Sequence, residues 1–196
     1  SEVDIIPFMK GIIKRFASFS SSVSIHTEFV QEHLVYNVDA EALTKIVSNL
    51  LTNAFKYART GIWVSTGEVV VEDAPMLEIS VGDDGPGVTE VEAARIFEPF
   101  YRSGNNNSTE TGFGIGLSLV KLLVDKHGGK ISVGRSSQGG FLITIHLPKI
   151  EASTTKPTVN RNEHESGGHF EIGECNLLIV EDTHDMLEFL LKNLGY

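Results

Sequence analysis

Four polar side chains recur along one predicted helix, in the stretch Asn49-Leu-Leu-Thr-Asn53-Ala-Phe-Lys56-Tyr57. An α-helix turns by about 100° per residue, so the four side chains fall within an arc of about 100° beside an apolar face. Carboxamide oxygens are suitable ligands for Mg²⁺, and a lysine ammonium group suits phosphate. Taken alone, the pattern is explained equally well as a solvated helix edge without a special role.

A carboxylate at the end of an apolar stretch is followed by two glycines, in Asp83-Asp-Gly85-Pro-Gly87. A carboxylate at a strand end can accept a hydrogen bond from an amino group such as that of adenine. Glycine lets a ligand approach the backbone without a Cβ clash. An ordinary Asp-Gly turn is the simpler interpretation if this motif stands alone.

Three glycines open a predicted apolar helix, in Gly112-Phe-Gly114-Ile-Gly116-Leu117. Free N–H groups and the positive end of the helix dipole make such a helix start suitable for an anion. The glycine spacing and the polar loop before it argue against a dinucleotide-binding fingerprint, and no Gly-Lys-Ser/Thr follows as in a Walker loop.

A short aromatic stretch, Ile96-Phe97-Glu-Pro-Phe100-Tyr-Arg102, lies between the last two motifs. Phe97 and Phe100 could anchor one end of the loop that Gly112 ends, although packing into the core is the simpler expectation for both. The polar residues 101–112 lack periodicity, which is typical of a mobile loop.

In their order and spacing, these stretches resemble the N-box, first glycine box, F-box and second glycine box of the ATP-binding catalytic domain of sensor histidine kinases. That family belongs to a wider class with gyrase, heat-shock chaperone and mismatch-repair ATPases. The resemblance covers residues 1–149, including the strand that ends at Pro148. It implies an α/β (α+β) two-layer sandwich in which a mixed sheet packs on helices, with ATP between the helices and a mobile lid at roughly 98–113.

The resemblance also implies roles for individual residues. Asn53 would ligate Mg²⁺ with Asn49 as a second polar ligand, and Lys56 would contact phosphate; these three would form the catalytic set. Tyr57 would flank adenine, and Asp83 would accept a hydrogen bond from its amino group. The remaining contacts would come from Gly85 and Gly87 beside the base, from Gly112, Gly114, Gly116 and Leu117 around the phosphates, and from Arg102 to phosphate or a partner.

One position favours a kinase over a hydrolase. In the related hydrolysing ATPases a glutamate four residues before the Mg²⁺-ligating asparagine acts as general base on water. Here that position is Asn49, and a carboxamide is a poor base. The expected activity is therefore transfer of the γ-phosphoryl group of Mg-ATP to a histidine. Two alternatives stay open: an ATP-responsive or degenerate module that docks on partners without phosphotransfer, and a hydrolysing ATPase.

The acceptor histidine is expected outside this chain. None of its 7 histidines has the His-Glu/Asp-Leu/Ile-Arg context of the family's acceptor helix. The resemblance therefore implies a separate histidine-bearing dimerisation domain of the same parent protein. It also implies a homodimeric parent and a cytoplasmic position in a membrane-anchored bacterial sensor. Structural roles are expected for His26 and His146 in strands and for His127 at a helix end.

The elements that must position these motifs follow from periodicity and from turn residues. A first helix is predicted over 4–19 with Asp4 as its N-cap, and the motif-bearing helix over 40–58, between the N-cap Asp39 and Gly61. The other predicted elements are strands at 24–30 and 34–38 joined by a turn at 31–33, strands at 62–72 and 76–82 joined by an Asp-Ala-Pro turn, helices at 90–96 and 115–127, and strands at 130–135 and 141–147.

Composition and charge limit the possible functions. The 196 residues include 16 basic and 26 acidic side chains, a net charge of −10. Residues 1–150 hold 13 basic and 17 acidic residues, a net of −4, and residues 151–196 hold 3 and 9, a net of −6. This balance argues against nucleic-acid binding. No apolar run reaches the ~18 residues of a membrane span, and the single cysteine, Cys175, excludes an internal disulfide.

The last quarter of the chain differs in character from the rest. The polar residues 150–173 predict a flexible linker. Residues 174–196 resemble the first strand and helix of a response-regulator receiver domain, where Glu181 and Asp182 match an acid pair that helps to bind Mg²⁺. The phospho-accepting aspartate would lie beyond Tyr196, so the metal site would be incomplete and the unit truncated. The expected parent is a hybrid kinase with a receiver domain as partner.

Overall fold

The computed structural model describes residues 1–18, 22–102 and 113–149. Within these ranges the chain forms the following strands and helices, each type numbered in chain order. The strands are β1 (Glu2–Asp4), β2 (Ser24–Phe29), β3 (Val35–Asn37), β4 (Gly61–Val71), β5 (Ala74–Asp83), β6 (Lys130–Arg135) and β7 (Phe141–Pro148). The helices are α1 (Ile5–Ala17), α2 (Ala40–Tyr57), α3 (Glu90–Ala93) and α4 (Gly116–Lys126).

Five of the strands form one mixed sheet in the order β2-β4-β5-β7-β6. The pair β2–β4 is parallel, and the other neighbouring pairs are antiparallel. β1 and β3 form a separate antiparallel ladder. A mixed sheet that packs on helices is the two-layer α+β arrangement predicted from the sequence, so the expected fold class is confirmed for the described residues.

The hydrophobic core lies between the sheet and helices α1, α2 and α4. α2 buries seven apolar residues along one face, as its helical spacing predicts. β7 buries alternate residues: Phe141, Ile143, Ile145 and Leu147. Burying each such side chain contributes roughly 1.5–3 kcal/mol, so this layer holds α2 and α4 firmly against the sheet.

The opposite face of the sheet carries polar and aromatic side chains. The rings of His26 and Trp63, which are cross-strand partners on β2 and β4, stack with centroids 5.0 Å apart. His146 Nε2 on β7 lies 2.9 Å from a carboxylate oxygen of Glu78 on β5. Both histidines lie in strands, as predicted, and both make cross-strand pairs that stabilise the sheet.

Two of the predicted turns are wrong. Residues 31–33 do not close a hairpin, because β2 and β3 belong to different sheets. The β4–β5 hairpin turns at Glu72 and Asp73, whose φ angles of 52° and 62° give the two positive values of a type I′ hairpin turn. Pro75 already belongs to β5, where a proline is tolerated near the start of a strand.

The start of α2 was predicted correctly, and its end was predicted one residue late. The side chain of Asp39 caps the helix by accepting hydrogen bonds from two backbone N–H groups of the first turn. The helix ends at Tyr57, because Ala58 has a ψ of 143° and leaves the helical conformation. Gly61 does not end the helix and is instead the first residue of β4.

The other predicted helix boundaries differ in detail. Asp4 occupies the N-cap position of α1 but makes no side-chain cap. Its carboxylate instead accepts a hydrogen bond from the Leu34 N–H at 3.1 Å and lies 2.7 Å from His33 Nδ1. The hydrogen bond with His33 lowers the pKa of Asp4 and raises that of the histidine. α3 ends at Ala93, earlier than predicted.

Several predictions fall outside the described residues. These are most of the lid, including Gly112, the linker over 150–173, and the receiver-like unit over 174–196 with Glu181 and Asp182. Among the described helices, none is both long and apolar enough to cross a membrane.

Candidate functional site

The four polar side chains, Asn49, Asn53, Lys56 and Tyr57, follow one edge of α2, a helix that packs against α4 and β5. All four are half-buried, beside the apolar face that packs into the core. Lys56 Nζ lies 5.1 Å from the centre of the Tyr57 ring. Asn49 Nδ2 donates a hydrogen bond to the carbonyl oxygen of Lys45 at 2.7 Å. No hydrogen-bond partner is found for the Asn53 carboxamide among the described residues, so its oxygen can serve as a ligand.

Asp83 ends β5 and is only 2 % exposed. Its Oδ1 accepts hydrogen bonds from the backbone N–H groups of Gly85 at 2.8 Å and Phe141 at 3.2 Å. Among the described residues, both bonds to the Asp83 carboxylate end on Oδ1, so Oδ2 remains able to accept a hydrogen bond from a ligand. Burial raises the pKa of Asp83, and the two N–H donors partly oppose that shift. A buried carboxylate with one open oxygen is suited to receive an amino group.

The neighbouring Asp84 has both carboxylate oxygens occupied. Oδ1 accepts hydrogen bonds from the backbone N–H groups of Arg59 at 2.7 Å and Thr60 at 3.1 Å. Oδ2 accepts from the same Thr60 N–H at 3.0 Å and from the Thr60 hydroxyl at 2.5 Å. Burial acts to raise the pKa of Asp84, but the hydrogen bonds from Thr60 and Arg59 outweigh it and hold the pKa below its ordinary value. Asp84 therefore ties the end of β5 to the segment between α2 and β4.

Glycines mark the points where the predicted motifs touch one another. A Cβ at Gly85 would clash with the carbonyl oxygen of Tyr57, so the loop after β5 packs directly on the end of α2. A Cβ at Gly116 would lie 2.9 Å from Asn49 Oδ1, so the start of α4 packs on the same helix. At these positions glycine permits close packing within the protein, in addition to the ligand approach predicted from the sequence.

Gly114 joins the aromatic stretch to the glycine stretch before α4. Its carbonyl oxygen accepts a hydrogen bond from the Phe100 N–H at 3.0 Å, and its φ of 69° favours glycine. The chain segments on either side of 103–112 are therefore held together beside α4. Phe97 packs against the core as expected. For Phe100 the expectation is wrong, because this residue is 74 % exposed.

The first turn of α4 has the features of an anion-binding site. Its N-cap residue, Ile115, makes no side-chain cap, and the helical bonding starts with the Leu119 N–H donating to the Ile115 carbonyl. The N–H groups that precede Leu119 in the helix can therefore bind an anion together with the helix dipole. The side chain of Leu117 packs against the core, so only its backbone is available to a ligand.

The other candidate residues lie at the margins of this arrangement. A Cβ at Gly87 would lie 3.5 Å from the Gly140 carbonyl oxygen, which places Gly87 against the turn between β6 and β7. Arg102 is exposed beside the undescribed segment 103–112. Sequence reasoning missed Ser136 and Gly140, which are buried against Asp83. The Gly-Gly pair before the last strand indicates a turn there, but it carries no sign of the contact with Asp83.

A comparison with protein families identifies the chain. Residues 38–151 match the family of histidine kinase-, DNA gyrase B- and HSP90-like ATPases. The chain belongs to this family. Within it, the described fold is that of the ATP-binding catalytic domain of sensor histidine kinases, as the following relatives indicate.

Three curated relatives of this ATPase domain are sensor kinases. The sensor histidine kinase TmoS of Ectopseudomonas mendocina is 32% identical over 192 residues, which cover 86% of this chain and 20% of TmoS. WalK of Bacillus subtilis is 32% identical over 154 residues, 76% of this chain and 25% of WalK. The sensor protein kinase PmrB of Pseudomonas aeruginosa is 38% identical over 137 residues, 69% of this chain and 27% of PmrB. The chain thus spans only a small part of these relatives.

Solved structures show the same fold. The mycobacterial sensor histidine kinase MprB has a TM-score of 0.65 and 28% identity, and the match covers 76% of this chain and 97% of that chain. ShkA, solved at full length in complex with AMPPNP, has a TM-score of 0.65 and 24% identity over 76% of this chain and 30% of that chain. At that identity, the second match supports the fold alone.

Proposed function

We propose that this ATPase-family domain binds Mg-ATP and transfers the γ-phosphoryl group to a histidine on a separate dimerisation domain. The observation that carries the proposal is the open carboxylate oxygen of Asp83 beside motifs that Gly85 and Gly116 pack onto α2. Family membership and the sensor-kinase relatives support the same function.

The arrangement suits a nucleotide from its base to its phosphates. Asp83 Oδ2 would accept a hydrogen bond from the adenine amino group, and Tyr57 would flank the ring, with Gly85 and Gly87 on the loop beside it. The phosphates would lie at the start of α4, where backbone N–H groups and the helix dipole attract anions. The Lys56 ammonium would add a positive charge there, and Arg102 is a further candidate for phosphate.

The carboxamides of α2 fit Mg²⁺. The oxygen of Asn53 is available for coordination, and Asn49 has its amide nitrogen bound to the helix backbone and its oxygen beside Gly116. Asn53 would therefore be the protein ligand, with Asn49 as a second polar group. A bound Mg²⁺ would neutralise charge on the phosphate oxygens.

Residue 49 favours phosphoryl transfer over hydrolysis. Asn49 stands where a hydrolysing relative would hold a catalytic glutamate, and its carboxamide cannot accept a proton from water at neutral pH. The acceptor would have to be a histidine that reaches the phosphates. An apolar surface beside the start of α4 offers a place for the acceptor domain to dock. Its exposed residues are Phe100, Phe113, Ile115, Leu119 and Leu122.

The parent protein is proposed to be a homodimeric, membrane-anchored sensor with this domain in the cytoplasm. The domain matches only a part of each named relative, so the parent would supply the histidine-bearing domain from a separate segment. The resemblance of residues 174–196 to a receiver domain supports a hybrid kinase, in which Glu181 and Asp182 would form part of a second Mg²⁺ site.

Binding and transfer can be tested separately. Calorimetry of the 196-residue chain with ATP and Mg²⁺ should show binding that is lost in Asn53→Ala and kept in Thr52→Ala, a control at an exposed position of the same helix. Adding the histidine-bearing domain should produce acid-labile phosphate. Binding without transfer would favour a degenerate module, and release of free phosphate by this chain alone would favour a hydrolase.

A further inference from the structure

We propose that the turn between β6 and β7, residues 136–140, makes the site selective for adenine by positioning Asp83. In this proposal Ser136 and Gly140 are positioning residues, since they act on the base through Asp83. The inference rests on the proposed function, because it assumes that Asp83 receives the base of a nucleotide.

The Ser136 hydroxyl links the turn to Asp83. It donates a hydrogen bond to the carbonyl oxygen of Asp83 at 2.6 Å and accepts one from the Gly140 N–H at 3.0 Å. The Ser136 N–H also donates to the Gly140 carbonyl at 3.0 Å. Ser136 is 8 % exposed, so water competes little for these bonds. One buried hydroxyl therefore closes the turn and holds the backbone of Asp83.

The residue after the turn controls the carboxylate itself. The Phe141 N–H donates to Asp83 Oδ1 at 3.2 Å, and the Gly85 N–H donates to the same oxygen at 2.8 Å. Two donors, one on the loop after β5 and one at the start of β7, thus fix the direction of Oδ2. If the turn shifts, the Phe141 N–H shifts with it, and the carboxylate is free to rotate about its terminal bond.

Gly140 brings the turn into direct contact with Asp83. A Cβ at Gly140 would lie 2.5 Å from Asp83 Oδ1 and 2.6 Å from the Gly85 nitrogen, and would clash with the Asp83 carbonyl oxygen. Gly139 differs, because its φ of 91° serves the turn while a Cβ there would meet nothing within 4 Å. Gly140 therefore serves the contact with Asp83, and Gly139 serves the turn geometry.

A fixed acceptor discriminates between purines at their 6-position. The 6-amino group of adenine donates a hydrogen bond to a carboxylate, whereas the 6-oxo group of hypoxanthine is an acceptor and would leave Oδ2 facing another oxygen. The discrimination depends on a carboxylate that cannot rotate away, and the β6–β7 turn supplies that constraint.

The test compares the affinities of the whole 196-residue chain for ATP and inosine triphosphate, with Mg²⁺, by calorimetry. Wild type should prefer ATP. Ser136→Ala and Gly140→Ala should reduce that preference by about tenfold, the scale of one hydrogen bond to a charged group, chiefly by weakening ATP binding. Two variants serve as matched controls, and both should keep the wild-type ratio. In Ser137→Ala the lost hydroxyl donates to the exposed Gln138 and not to Asp83, and in Gly134→Ala the new Cβ meets nothing within 4 Å.

The outcomes separate the two proposals. If wild type binds neither nucleotide, the proposed function fails. If wild type binds both equally, or if Ser136→Ala weakens both by the same factor, the site binds a nucleotide but the turn does not set base selectivity, and the inference is overturned. Should Gly140→Ala fail to fold, Ser136→Ala decides, because it removes a single oxygen atom.

Discussion

Two adjacent aspartates, Asp83 and Asp84, lie at the end of β5 and differ in how their carboxylates are hydrogen-bonded. On one side, Asp83 is buried against the β6–β7 turn with one oxygen bound and the other open. On the other side, Asp84 faces Thr60 and Arg59 with both oxygens bound. Burial raises the pKa of Asp83, and hydrogen bonds lower that of Asp84. The difference shows that the candidate binding carboxylate is marked by an oxygen that makes no hydrogen bond to the described residues, and that charge and sequence position do not distinguish the two.

The two surroundings have opposite consequences for the fold. Burial disfavours the ionised form of the Asp83 carboxylate, so the ionised side chain lowers the stability of the fold. Asp84 accepts bonds from the chain that leaves α2 and thereby fixes the start of β4. The surroundings of Asp83 are thus suited to binding a ligand, and those of Asp84 to stabilising the fold. Such a division is expected where a binding site needs a residue that local stability alone would not favour.

The largest effect is expected from Asp83→Asn. To keep the bonds from Gly85 and Phe141, the new carboxamide must turn its oxygen toward them, which directs its NH₂ group at the adenine amino group. ATP affinity should fall by roughly 10–100-fold, the loss of a hydrogen bond to a charged group. The melting temperature without nucleotide should stay the same or rise, because a buried charge is removed. Calorimetry and thermal unfolding check both parts, and a loss of stability with unchanged affinity would contradict the comparison.

Asp84→Asn should give the reverse result. Its NH₂ group cannot accept the hydrogen bonds that Thr60 now donates, so the free energy of unfolding should fall by about 1–3 kcal/mol. The affinity of the folded protein for ATP should be unchanged. Urea titration measures the first quantity, and calorimetry well below the denaturation midpoint measures the second. If this variant lost ATP binding while keeping its stability, the roles assigned to the two aspartates would have to be exchanged.

Lowering the pH should change the contributions of the two aspartates to the free energy of unfolding in opposite directions. Asp84 has a folded-state pKa below the ordinary 3.8, so its stabilising contribution is present above that value and is lost as the pH falls through the folded pKa. Asp83 has a folded-state pKa above 3.8, so its contribution is present below that value and is lost as the pH rises through the folded pKa. Each contribution is the unfolding free energy of wild type minus that of the Asn variant.

Measured between neutral pH and about pH 3, a range that spans the ordinary aspartate pKa, the two differences should therefore change in opposite directions. On acidification the Asp84 difference should shrink, and the Asp83 difference should move in favour of wild type. Two differences that change in parallel would show that neighbouring groups, rather than these carboxylates, dominate the titration.

Sequence patterns predicted the local features of the molecule and missed the long-range ones. The apolar spacing of α2 and its N-cap Asp39 are local, and the ranges of β6 and β7 were predicted to within a residue. The pairing of β2 and β3 with different partners depends on distant strands. The contact of Ser136 with Asp83 joins residues 53 positions apart, so no local pattern could reveal it. The placement of Asn49, Asn53, Lys56 and Tyr57 on one helix was predictable because helical spacing is a local pattern.

The smallest effect is expected when a single hydroxyl group is removed beside Asp84, and the matching change beside Asp83 provides the comparison. Thr60→Val removes the hydroxyl that donates to Asp84 Oδ2 but leaves the backbone N–H bonds of residue 60. Because Thr60 is exposed, unfolding should become easier by only about 0.5–1 kcal/mol, with no change in the preference for ATP over inosine triphosphate. Thr52→Val, at an exposed helix position, is the control for the added methyl group.

Ser136→Ala removes the matching hydroxyl beside Asp83 and should instead change the preference for ATP over inosine triphosphate. If the two variants had the same effects on stability and on base preference, the two sides of the β5 end would be equivalent, and the division between binding and stability would not hold.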